Sequence, residues 1–402
     1  MLKGACLFGQ SGGPTSVINA SAYGIITEGL KNESITKVYA MHHGIKGALN
    51  DDLIEITTDD YEEIEKLLYT PGALFGSCRL RLKDYLVDDS EYKKILEIFK
   101  KYDIRYFLYI GGNDSMDTCM KLDLFFKEVG YECYVIGVPK TIDNDLILTD
   151  HCPGYGSAAK YVATTLTEIA LDTDVYKKGR VTIVEIMGRD AGWLTASSHL
   201  ANINGDVVQL IYLPEVAFNM DEFLRDVERI YKEKKKVLVA ISEGIRDKDG
   251  KYILEYQGTT ESDKFGHMQL GGVGQVLAGI VNQKLGISTR AIELSLPQRC
   301  AAHLGSLTDV KEAEKAGSWA VKYAVKGESG MMVAYKRVSD YKIVYKTAKL
   351  TDVANQVKEF PREWIINGNS ISNEYLTYAL PLIKGESYPK YSNGLPSYSK
   401  LK

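Results

Sequence analysis

Several features that mark whole classes of protein are missing from this chain of 402 residues. Its six cysteines are scattered and form no Cys-x-x-Cys pair, which argues against a zinc knuckle and favours free, mostly buried thiols in a reducing compartment. No apolar run approaches the roughly 20 residues of a membrane-spanning helix, and the first residues lack the apolar core and cleavage site of a signal peptide. A net charge of −4 leaves no basic excess for broad nucleic-acid binding. We therefore expect a cytoplasmic protein with neither membrane nor nucleic-acid partners.

The chain also lacks a Ser/Pro-rich linker, a low-complexity segment and an internal repeat of fixed period. It has instead a repeating order of short apolar run, Gly or Asp turn and amphipathic helix, in which the runs barely alternate between polar and apolar residues. Such repetition predicts an α/β protein with largely parallel sheets, and the length favours two or three lobes. The predicted strands are 5–9, 104–112, 132–139, 180–188, 236–244 and 289–296.

Turn residues cluster at 151–158, and the pattern of apolar and polar residues changes after residue 330. We place an N-terminal lobe at 1–152, a second lobe at 153–297 and a C-terminal segment at 298–402 that packs back on both lobes. Within that segment, 331–350 predicts an antiparallel hairpin and 373–386 predicts a helix broken at Pro381. The last residues, 388–402, are expected to be loose.

Polar and glycine-rich stretches follow the predicted strands directly. Because ligands bind beyond the carboxyl ends of the strands in open α/β sheets, these stretches are the candidate site. They are GQSGGPTS after the first strand, and then GGNDS, PKTIDND, MGRDAG, SEG and PQR. Their glycines, carboxylates, arginines and one lysine together suit phosphorylated, metal-bound, anionic substrates.

Two glycine pairs carry the phosphate hypothesis. Gly12 and Gly13 separate a strand from a helix, where glycine lets backbone N–H groups approach a phosphate, and a tight turn alone is the alternative. Gly111 and Gly112 repeat the arrangement, although the residues after them could simply cap a helix. No lysine follows the first pair as a Walker loop requires. GYGSAA (154–159) fits a dinucleotide fingerprint on paper, but no predicted strand precedes it.

Lys140, Asp143 and Asp145 form a charge cluster after an apolar strand. One carboxylate there could cap a helix, but two beside a lysine are costly unless a ligand uses them. A carboxylate can accept the proton of an attacking hydroxyl, a second can help to hold Mg²⁺, and the lysine can neutralise a transferring phosphoryl group. Guanidinium groups suit phosphate, although any one arginine could be a surface ion-pair partner. The candidates are Arg79, Arg180, Arg189, Arg290 and Arg299.

Together and in this order, SGGPTSVINA, GGNDSMDT, PKTIDND, MGRDAGWL and SEG resemble the phosphofructokinases over roughly residues 1 to 330. The resemblance implies two similar Rossmann-like lobes with mostly parallel sheets and an active site in the cleft between them. It also implies an Mg²⁺-dependent kinase of glycolysis or gluconeogenesis. The family reaction moves a phosphoryl group to the 1-hydroxyl of fructose 6-phosphate and gives fructose 1,6-bisphosphate.

Within the family, the chain resembles the branch that uses pyrophosphate. ATP-dependent members have glycine at the positions of Asp114 and Lys140. A glycine leaves room for the α-phosphate of a nucleotide, whereas Asp114 fills that room with a negative charge. Two like charges about 4 Å apart repel by a few kcal/mol near a protein surface, on the order of a 10²–10³-fold loss of affinity. Lys140 would stabilise the charge that develops on pyrophosphate.

The resemblance also assigns roles residue by residue. The catalytic residues would be Asp143, as the proton acceptor, with Lys140, Asp114 and Arg189. Those that bind fructose 6-phosphate would be Thr141, Asp143, Met187, Gly188, Arg189, Glu243 and Arg299, with Arg180 and Arg290. Those that bind pyrophosphate would be Gly13, Arg79, Asp114 and Lys140, with Lys83 as a further candidate. Mg²⁺ would be held by Asn113 and Asp145. Because Arg180 and Arg290 match arginines that cross a subunit interface, we expect a homodimer or homotetramer with shared active sites.

Three departures from the family pattern bear on these expectations. Asn113 replaces an aspartate that many relatives have, Leu296 replaces a His or Tyr near the sugar phosphate, and the tail beyond residue 330 exceeds the short bacterial ATP enzymes. The rival hypotheses within the fold are an ATP-dependent 6-phosphofructokinase and a pyrophosphate-dependent sedoheptulose 7-phosphate kinase. From other classes, a nicotinamide-dependent oxidoreductase would need a glycine fingerprint after a strand, and a non-catalytic sugar-binding protein would not need Asp143.

Overall fold

The computed structural model describes residues 2–175, 177–257 and 270–401. In those residues the strands are β1 (Gly4–Gln10), β2 (Ile35–Met41), β3 (Leu53–Ile56), β4 (Ile104–Gly111), β5 (Tyr134–Pro139), β6 (Arg180–Ile186), β7 (Leu210–Tyr212), β8 (Lys236–Ser242), β9 (Thr289–Glu293), β10 (Gly305–Ser306), β11 (Met331–Ser339), β12 (Lys342–Lys349), β13 (Ile365–Ile366), β14 (Ser370–Ile371), β15 (Glu386–Ser387), β16 (Tyr391–Ser392) and β17 (Leu395–Pro396).

The α-helices of the same residues are α1 (Ile18–Lys31), α2 (Ile45–Asn50), α3 (Tyr61–Lys66), α4 (Ser90–Lys101), α5 (Asn113–Glu128), α6 (Tyr155–Thr173), α7 (Trp193–Ala196), α8 (Met220–Lys234), α9 (Val273–Leu285), α10 (Pro297–Cys300), α11 (Leu307–Val325), α12 (Leu350–Val353) and α13 (Glu374–Ala379). Short 3-10 helices lie at Thr58–Asp60, Leu67–Tyr69, Ser197–Asn204, Ile253–Gln257, Ala302–Leu304, Arg362–Trp364 and Leu380–Ile383. None of the helices described here combines the length and apolar character needed to cross a membrane.

The larger sheet has the strand order β12-β11-β5-β4-β1-β2-β3. Its five inner strands run parallel, and β3 and β12 are antiparallel edge strands. Helices cover both faces: Leu7 of β1 belongs to a core with α4 and α5, while Cys6 and Phe8 belong to a core with α1 and α11. This burial on both faces is the reason β1 is a continuous apolar run in the sequence.

The smaller sheet has four parallel strands in the order β7-β8-β6-β9. Val181 and Ile183 of β6 pack in a core with α8 and α9, and Val184 and Ile186 face a second core with α6 and α7. The predicted α/β class with mostly parallel sheets and two lobes is therefore confirmed. All six cysteines are free and five are buried, as expected.

The six predicted strands are all present, but most predicted runs extend past the end of the strand. The run 180–188 ends as a strand at Ile186, 236–244 ends at Ser242, and 289–296 ends at Glu293. The extra residues belong to the loops at the carboxyl ends. Sequence reasoning passed over β2, β3 and β7, which are short or begin with exposed polar residues and so lack a long apolar run.

The C-terminal segment completes the larger sheet. The predicted hairpin is confirmed as β11 and β12, and β11 also pairs with β5 of the N-terminal part. The predicted break is confirmed as well, because α13 ends at Ala379 and Pro381 lies in a 3-10 turn. The limits 1–152, 153–297 and 298–402 stay a proposal for how the chain divides into domains.

The expectation that residues 388–402 are loose was wrong for Ser399 to Leu401, and Lys402 lies outside the described residues. The backbone N–H of Ser399 donates to Thr70 Oγ1 at 2.9 Å, and Ser399 Oγ donates to the carbonyl of Glu63 at 2.8 Å. Leu401 packs in the same core as Phe8 and Ile18. Terminal residues are ordered where side chains and backbone groups find partners in the body of the protein, and here they do.

Candidate active site

A cleft of about 460 Å³ lies between the two lobes, where the loops after the parallel strands face each other. The N-terminal lobe contributes the loops after β1, β4 and β5, and the second lobe contributes the loops after β6 and β8. The lining includes these sequence-predicted residues: Gly13, Arg79, Asn113, Asp114, Lys140, Thr141, Asp143, Asp145, Met187, Arg189, Glu243 and Arg299. The fold thus brings together most of the residues that the motifs indicated.

The glycine loop after β1 and the lysine after β5 meet directly. Lys140 Nζ donates a hydrogen bond to the carbonyl oxygen of Gly13 at 2.6 Å, and its backbone N–H donates to the carbonyl of Gly111 at 3.0 Å. Gly12 has φ +73°, and a Cβ built there would lie 3.4 Å from Lys140 Nζ. Glycine at position 12 therefore permits both the left-handed turn and the close approach of the ammonium group.

The Lys140 ammonium is held in a site that disfavours its charge. Burial lowers the pKa of Lys140 to about 8, against the opposing effect of the carboxylates of Asp143 and Asp145, and the nearby Arg299 and Arg79 lower it further. A lysine with this pKa is still mostly charged near neutral pH. It can therefore act as a cation that a bound anion would strengthen.

The carboxyl groups of Asp143 and Asp145 interact with this ammonium group. Loss of solvation is the largest cause that raises the pKa of Asp143, to about 7, and the neighbouring carboxylates of Asp145 and Glu243 add to it. Burial raises the pKa of Asp145 as well. A carboxyl group that titrates near neutral pH is suited to accept a proton during the reaction.

Asn144, between the two aspartates, fixes their loop. It has φ +54°, is fully buried, donates from Nδ2 to Tyr378 Oη at 2.7 Å and accepts the backbone N–H of Cys152 at 2.9 Å. With Asn144 directed into the protein, its two neighbours line the cleft. Sequence reasoning missed this role, although an asparagine in a tight turn is a known signal for a left-handed conformation.

Asn113 and Asp114 begin α5 and line the cleft beside the aspartates. Asn113 Nδ2 donates to Asp145 Oδ2 at 3.4 Å, while Asn113 Oδ1 is buried and accepts no hydrogen bond from any described residue. Asp114 is exposed to the cleft. Asn113 thus contacts the Asp145 carboxylate through its amide nitrogen and keeps an amide oxygen without a hydrogen-bond donor among the described residues. Amide and carboxylate oxygens are ligands of the kind that Mg²⁺ binds together with substrate phosphates.

The second lobe supplies the opposite wall through the loops after β6 and β8. The backbone N–H of Gly188 donates to Glu243 Oε1 at 3.3 Å, and the Gly188 carbonyl accepts from the Ser242 hydroxyl. The backbone N–H of Met187 donates to Gln298 Oε1 at 3.1 Å. Burial raises the pKa of Glu243. These bonds hold the 187–189 loop in a fixed orientation beside a carboxylate that can bind a sugar hydroxyl.

Arg299 lies where the two walls meet. A Cβ built on Gly13 would be 3.3 Å from Arg299 Nη1, so the guanidinium reaches the glycine loop of the N-terminal lobe. Burial lowers the pKa of Arg299, and repulsion from Arg79 lowers it further. Two guanidinium groups close enough to repel each other favour a bound polyanion between or beside them.

Three residues that the sequence analysis named, Arg180, Arg290 and Lys83, do not line this cleft. Arg180 is the first residue of β6 and Arg290 lies near the start of β9, so both are at the amino ends of strands whose carboxyl ends form the cleft. Arg290 Nη1 lies 3.6 Å from Asp172 Oδ2. Lys83 pairs with Asp88 at 3.0 Å and does not line the cleft. A role for Arg180 and Arg290 in a neighbouring copy's site stays a prediction.

Arg81 is a cleft residue that sequence reasoning missed. Arg81 Nη2 donates to Asn355 Oδ1 at 3.1 Å, and Arg81 Nε lies 3.8 Å from Asp117 Oδ2. Its sequence signal is the alternation of basic residues in RLRLK (79–83), which places Arg79 and Arg81 on the same side of an extended segment.

The fold and cleft define an α/β protein of two lobes, and the side chains that line the cleft between them are of the types that suit phosphorylated ligands. The chain belongs to the phosphofructokinase family, because the family model described as Phosphofructokinase matches residues 6–294. It is 44% identical over 409 residues to a protein of Xanthomonas campestris pv. campestris named pyrophosphate–fructose 6-phosphate 1-phosphotransferase, covering 100% of this chain and 97% of the relative. A protein of the same name from Halomonas elongata is 42% identical over 408 residues, with 100% and 97% coverage.

A solved structure has a similar fold over its full length. The crystal structure of the pyrophosphate-dependent phosphofructokinase from Nitrosospira multiformis has a TM-score of 0.90 and 38% sequence identity, and the match covers 100% of this chain and 97% of that one. The similarity therefore includes the segment beyond residue 330, which the motif resemblance did not reach.

Proposed function

We propose that this protein is a pyrophosphate-dependent phosphofructokinase that moves a phosphoryl group reversibly between pyrophosphate and the 1-hydroxyl of fructose 6-phosphate. The observation that carries the proposal is the pair of charged side chains on the donor side. Lys140 and Asp114 stand in the cleft beside the glycine loop, where ATP-using members of the family have glycine. The full-length similarity to relatives named for this reaction supports the same donor.

The donor preference follows from charge and volume. Asp114 is exposed to the cleft at the start of α5, so it opposes an additional phosphate at the position where a nucleotide would continue. Like charges about 4 Å apart cost a few kcal/mol near a surface. Lys140 provides a cation at the same end of the cleft, and its hydrogen bond to Gly13 fixes the ammonium beside the phosphate-binding loop. Pyrophosphate can pair with the ammonium group of Lys140, and because it has no nucleoside and no third phosphate it places no further negative charge against Asp114.

Phosphoryl transfer requires a base for the 1-hydroxyl, a cation beside the transferring group and a fixed alignment of the two substrates. Asp143 accepts the proton from the 1-hydroxyl as that oxygen attacks the phosphoryl group, and inorganic phosphate leaves in line on the other side. Its pKa of about 7 places the carboxylate near the ideal strength for this step at neutral pH. Lys140 and Arg189 stabilise the charge of the transferring group. Glu243 and Arg299 orient the sugar phosphate, and Thr141, Met187 and Gly188 complete its site.

The residues around Asn113 fit a magnesium ion. Asn113 and Asp145 would hold Mg²⁺ through the amide oxygen and a carboxylate oxygen, and the substrate phosphates would supply further ligands. The described residues contain no group of three acidic, histidine or cysteine side chains that could hold a metal ion alone. When bound, the ion would neutralise phosphate charge. A cytoplasmic location and a homodimer or homotetramer that shares Arg180 and Arg290 are part of this proposal.

The proposal is tested by comparing donors in the purified protein with Mg²⁺. Fructose 6-phosphate should be phosphorylated with pyrophosphate, and inorganic phosphate should drive the reverse reaction from fructose 1,6-bisphosphate. Turnover with ATP and none with pyrophosphate would favour the ATP-dependent rival and refute the proposal. Substituting sedoheptulose 7-phosphate for fructose 6-phosphate in the same assay tests the alternative acceptor.

A further inference from the structure

A six-residue segment of the C-terminal part, residues 355–360, runs along the cleft and touches both lobes. On the donor side, Asn355 Oδ1 accepts a hydrogen bond from Arg81 at 3.1 Å and Asn355 Nδ2 donates to Asp117 Oδ1 at 3.0 Å. Asn355 has φ +62°, so the chain turns at this residue as it leaves α12. Val357 then lines the cleft itself. The segment therefore starts at a guanidinium group of the donor side.

Lys358, near the middle of the segment, holds the chain that follows Asp143 and Asp145. Its backbone N–H donates to the carbonyl oxygen of Asp145 at 2.7 Å. Its Nζ donates to the carbonyls of Thr149 and Asp150 at 3.2 and 3.0 Å. One residue thus makes three hydrogen bonds to the backbone between 145 and 150, in a loop that has no helix or sheet of its own to hold it.

The same residue is tied to the second lobe. Trp193 Nε1 donates to the Lys358 carbonyl at 2.9 Å, and the Lys358 ammonium lies 5.1 Å from the centre of the Trp193 indole ring. Trp193 begins α7, directly after the loop that carries Arg189. Two residues further on, the N–H of Phe360 donates to Glu215 Oε1 at 2.9 Å, and the same oxygen accepts from the N–H of Gly192 at 2.7 Å.

We propose that Lys358 is a positioning residue for phosphoryl transfer, which holds the Asp143–Asp145 loop of one lobe in register with the Arg189 loop of the other. The inference rests on the proposed function of the same cleft. Its physical basis is that the base and the substrate-binding groups belong to different lobes, and a displacement of about 1 Å can lower a rate on the order of 10²-fold. Lys358 hydrogen-bonds to the backbone of Asp145, Thr149 and Asp150 in the N-terminal lobe, and its carbonyl accepts from the indole N–H of Trp193 in the second lobe.

The test compares two lysine variants that differ in location. Lys358→Met keeps an unbranched side chain of similar volume and removes the ammonium group that binds the two carbonyls. The matched control is Lys160→Met: Lys160 also anchors the C-terminal part, through the Gly385 carbonyl at 2.7 Å and an ion pair with Glu386, but it is not among the residues that line the cleft. Both variants lose a lysine that holds the C-terminal part in place.

For Lys358→Met we expect kcat to fall about 10- to 100-fold, with the KM values for pyrophosphate and fructose 6-phosphate changed by less than about threefold. For Lys160→Met we expect a lower melting temperature and a kcat within about twofold of the wild type. A residue that merely stabilised the fold would lower the melting temperature in both variants and leave kcat of the folded protein unchanged. That result for Lys358→Met would overturn the inference.

Trp193→Phe provides a second variant that keeps an aromatic ring and removes the N–H that binds the Lys358 carbonyl. We expect a smaller fall in kcat, about three- to tenfold, again at nearly constant KM. If Lys358→Met does not fold, an unchanged kcat in Trp193→Phe overturns the inference. Absence of pyrophosphate turnover in the wild type would instead count against the proposed function, and the same variants assayed with the donor that the wild type does use would still test Lys358.

Discussion

The ammonium group of Lys140 lies 2.6 Å from the carbonyl oxygen of Gly13, although the two residues are 127 positions apart in the chain. The contact joins the loop after β1 to the end of β5 and places a cation beside the glycine-rich turn. A nucleotide-binding loop at this place would use backbone N–H groups and open space. In this protein the Lys140 side chain occupies the space next to the loop, which makes this end of the cleft smaller and more positive.

Replacing both donor-side residues should change donor use. In the Asp114→Gly, Lys140→Gly double variant we expect kcat/KM with pyrophosphate to fall at least about 10²-fold, because a stabilising cation is lost. We expect kcat/KM with ATP to rise at least about tenfold, because a repelling carboxylate is removed. Steady-state rates with each donor at saturating fructose 6-phosphate measure both effects. A well-folded double variant that gains no ATP turnover would contradict this account of donor choice.

Asp143→Asn should abolish most turnover without loss of the fold. Since an amide cannot accept the hydroxyl proton, we expect kcat to fall about 10²- to 10⁴-fold, with a small change in KM for fructose 6-phosphate. The raised pKa means that the charged carboxylate is disfavoured in the folded protein, so the neutral amide should leave the melting temperature unchanged or higher at pH 8. A kcat close to that of the wild type would show that another group is the base.

A plot of kcat/KM against pH should rise and then fall over a narrow pH range. Asp143 must lose its proton to act as a base, so kcat/KM should rise as pH increases through about 7. Lys140 must keep its proton to act as a cation, so kcat/KM should fall as pH increases through about 8. In Lys140→Arg the alkaline limb should move beyond the measured range, because a guanidinium group stays charged. An alkaline limb that is the same in this variant and in the wild type would show that Lys140 is not its source.

His151 should make stability depend on pH. It is buried, and its ring lies between Asp150 at 2.8 Å and Glu312 at 2.6 Å, with Tyr341 and Arg337 nearby. Burial alone would lower the pKa of His151, but the charges and hydrogen bonds of Glu312 and Asp150 outweigh it and raise it. The charged ring therefore adds to the free energy of unfolding. This added stability is fully present below the pKa of about 6.5 that histidine has in the unfolded chain, and it is lost as pH rises through the higher pKa of the folded state.

His151→Gln should remove that part of the pH dependence. We expect the melting temperature of the wild type to decrease between pH 6 and pH 9 by more than that of the variant, since glutamine does not titrate. Thermal unfolding of both proteins across this range is the measurement. Parallel curves for the two proteins would exclude His151 as the titrating group.

The ordered C-terminus should contribute measurable stability. Leu401 is 4% exposed and packs in the core with Phe8 and Ile18, so Leu401→Ala should lower the free energy of unfolding by about 2 kcal/mol and the melting temperature by about 2–4 °C. The control is Leu395→Ala in the same tail, where the side chain is 71% exposed and the expected change is within about 0.5 kcal/mol. Equal melting temperatures for the two variants would mean that the tail does not pack as described.

Much of the fold could be predicted because its signals are local. A strand buried on both faces appears in the sequence as a continuous apolar run. The next few residues then indicate the turn or helix start that follows, as in ACLFG followed by QSGG. The strands β2, β3 and β7 were missed for the same reason: β3 and β7 are short edge strands and β2 begins with a half-polar pattern, so none of them produces such a run. The tail at 388–402 looked loose because its partners, Glu63 and Thr70, are far away in sequence.

The sequence by itself determined the α/β class, the loops that line the cleft and the residue types at positions 114 and 140, since each depends on neighbours within a few residues along the chain. Only the tertiary structure decided that Lys140 meets Gly13, that Arg81 joins the cleft and that Lys358 ties the aspartate loop to Trp193. Those contacts join segments far apart in the chain. They are set by how the sheets and the C-terminal segment pack, which no local pattern of residues encodes.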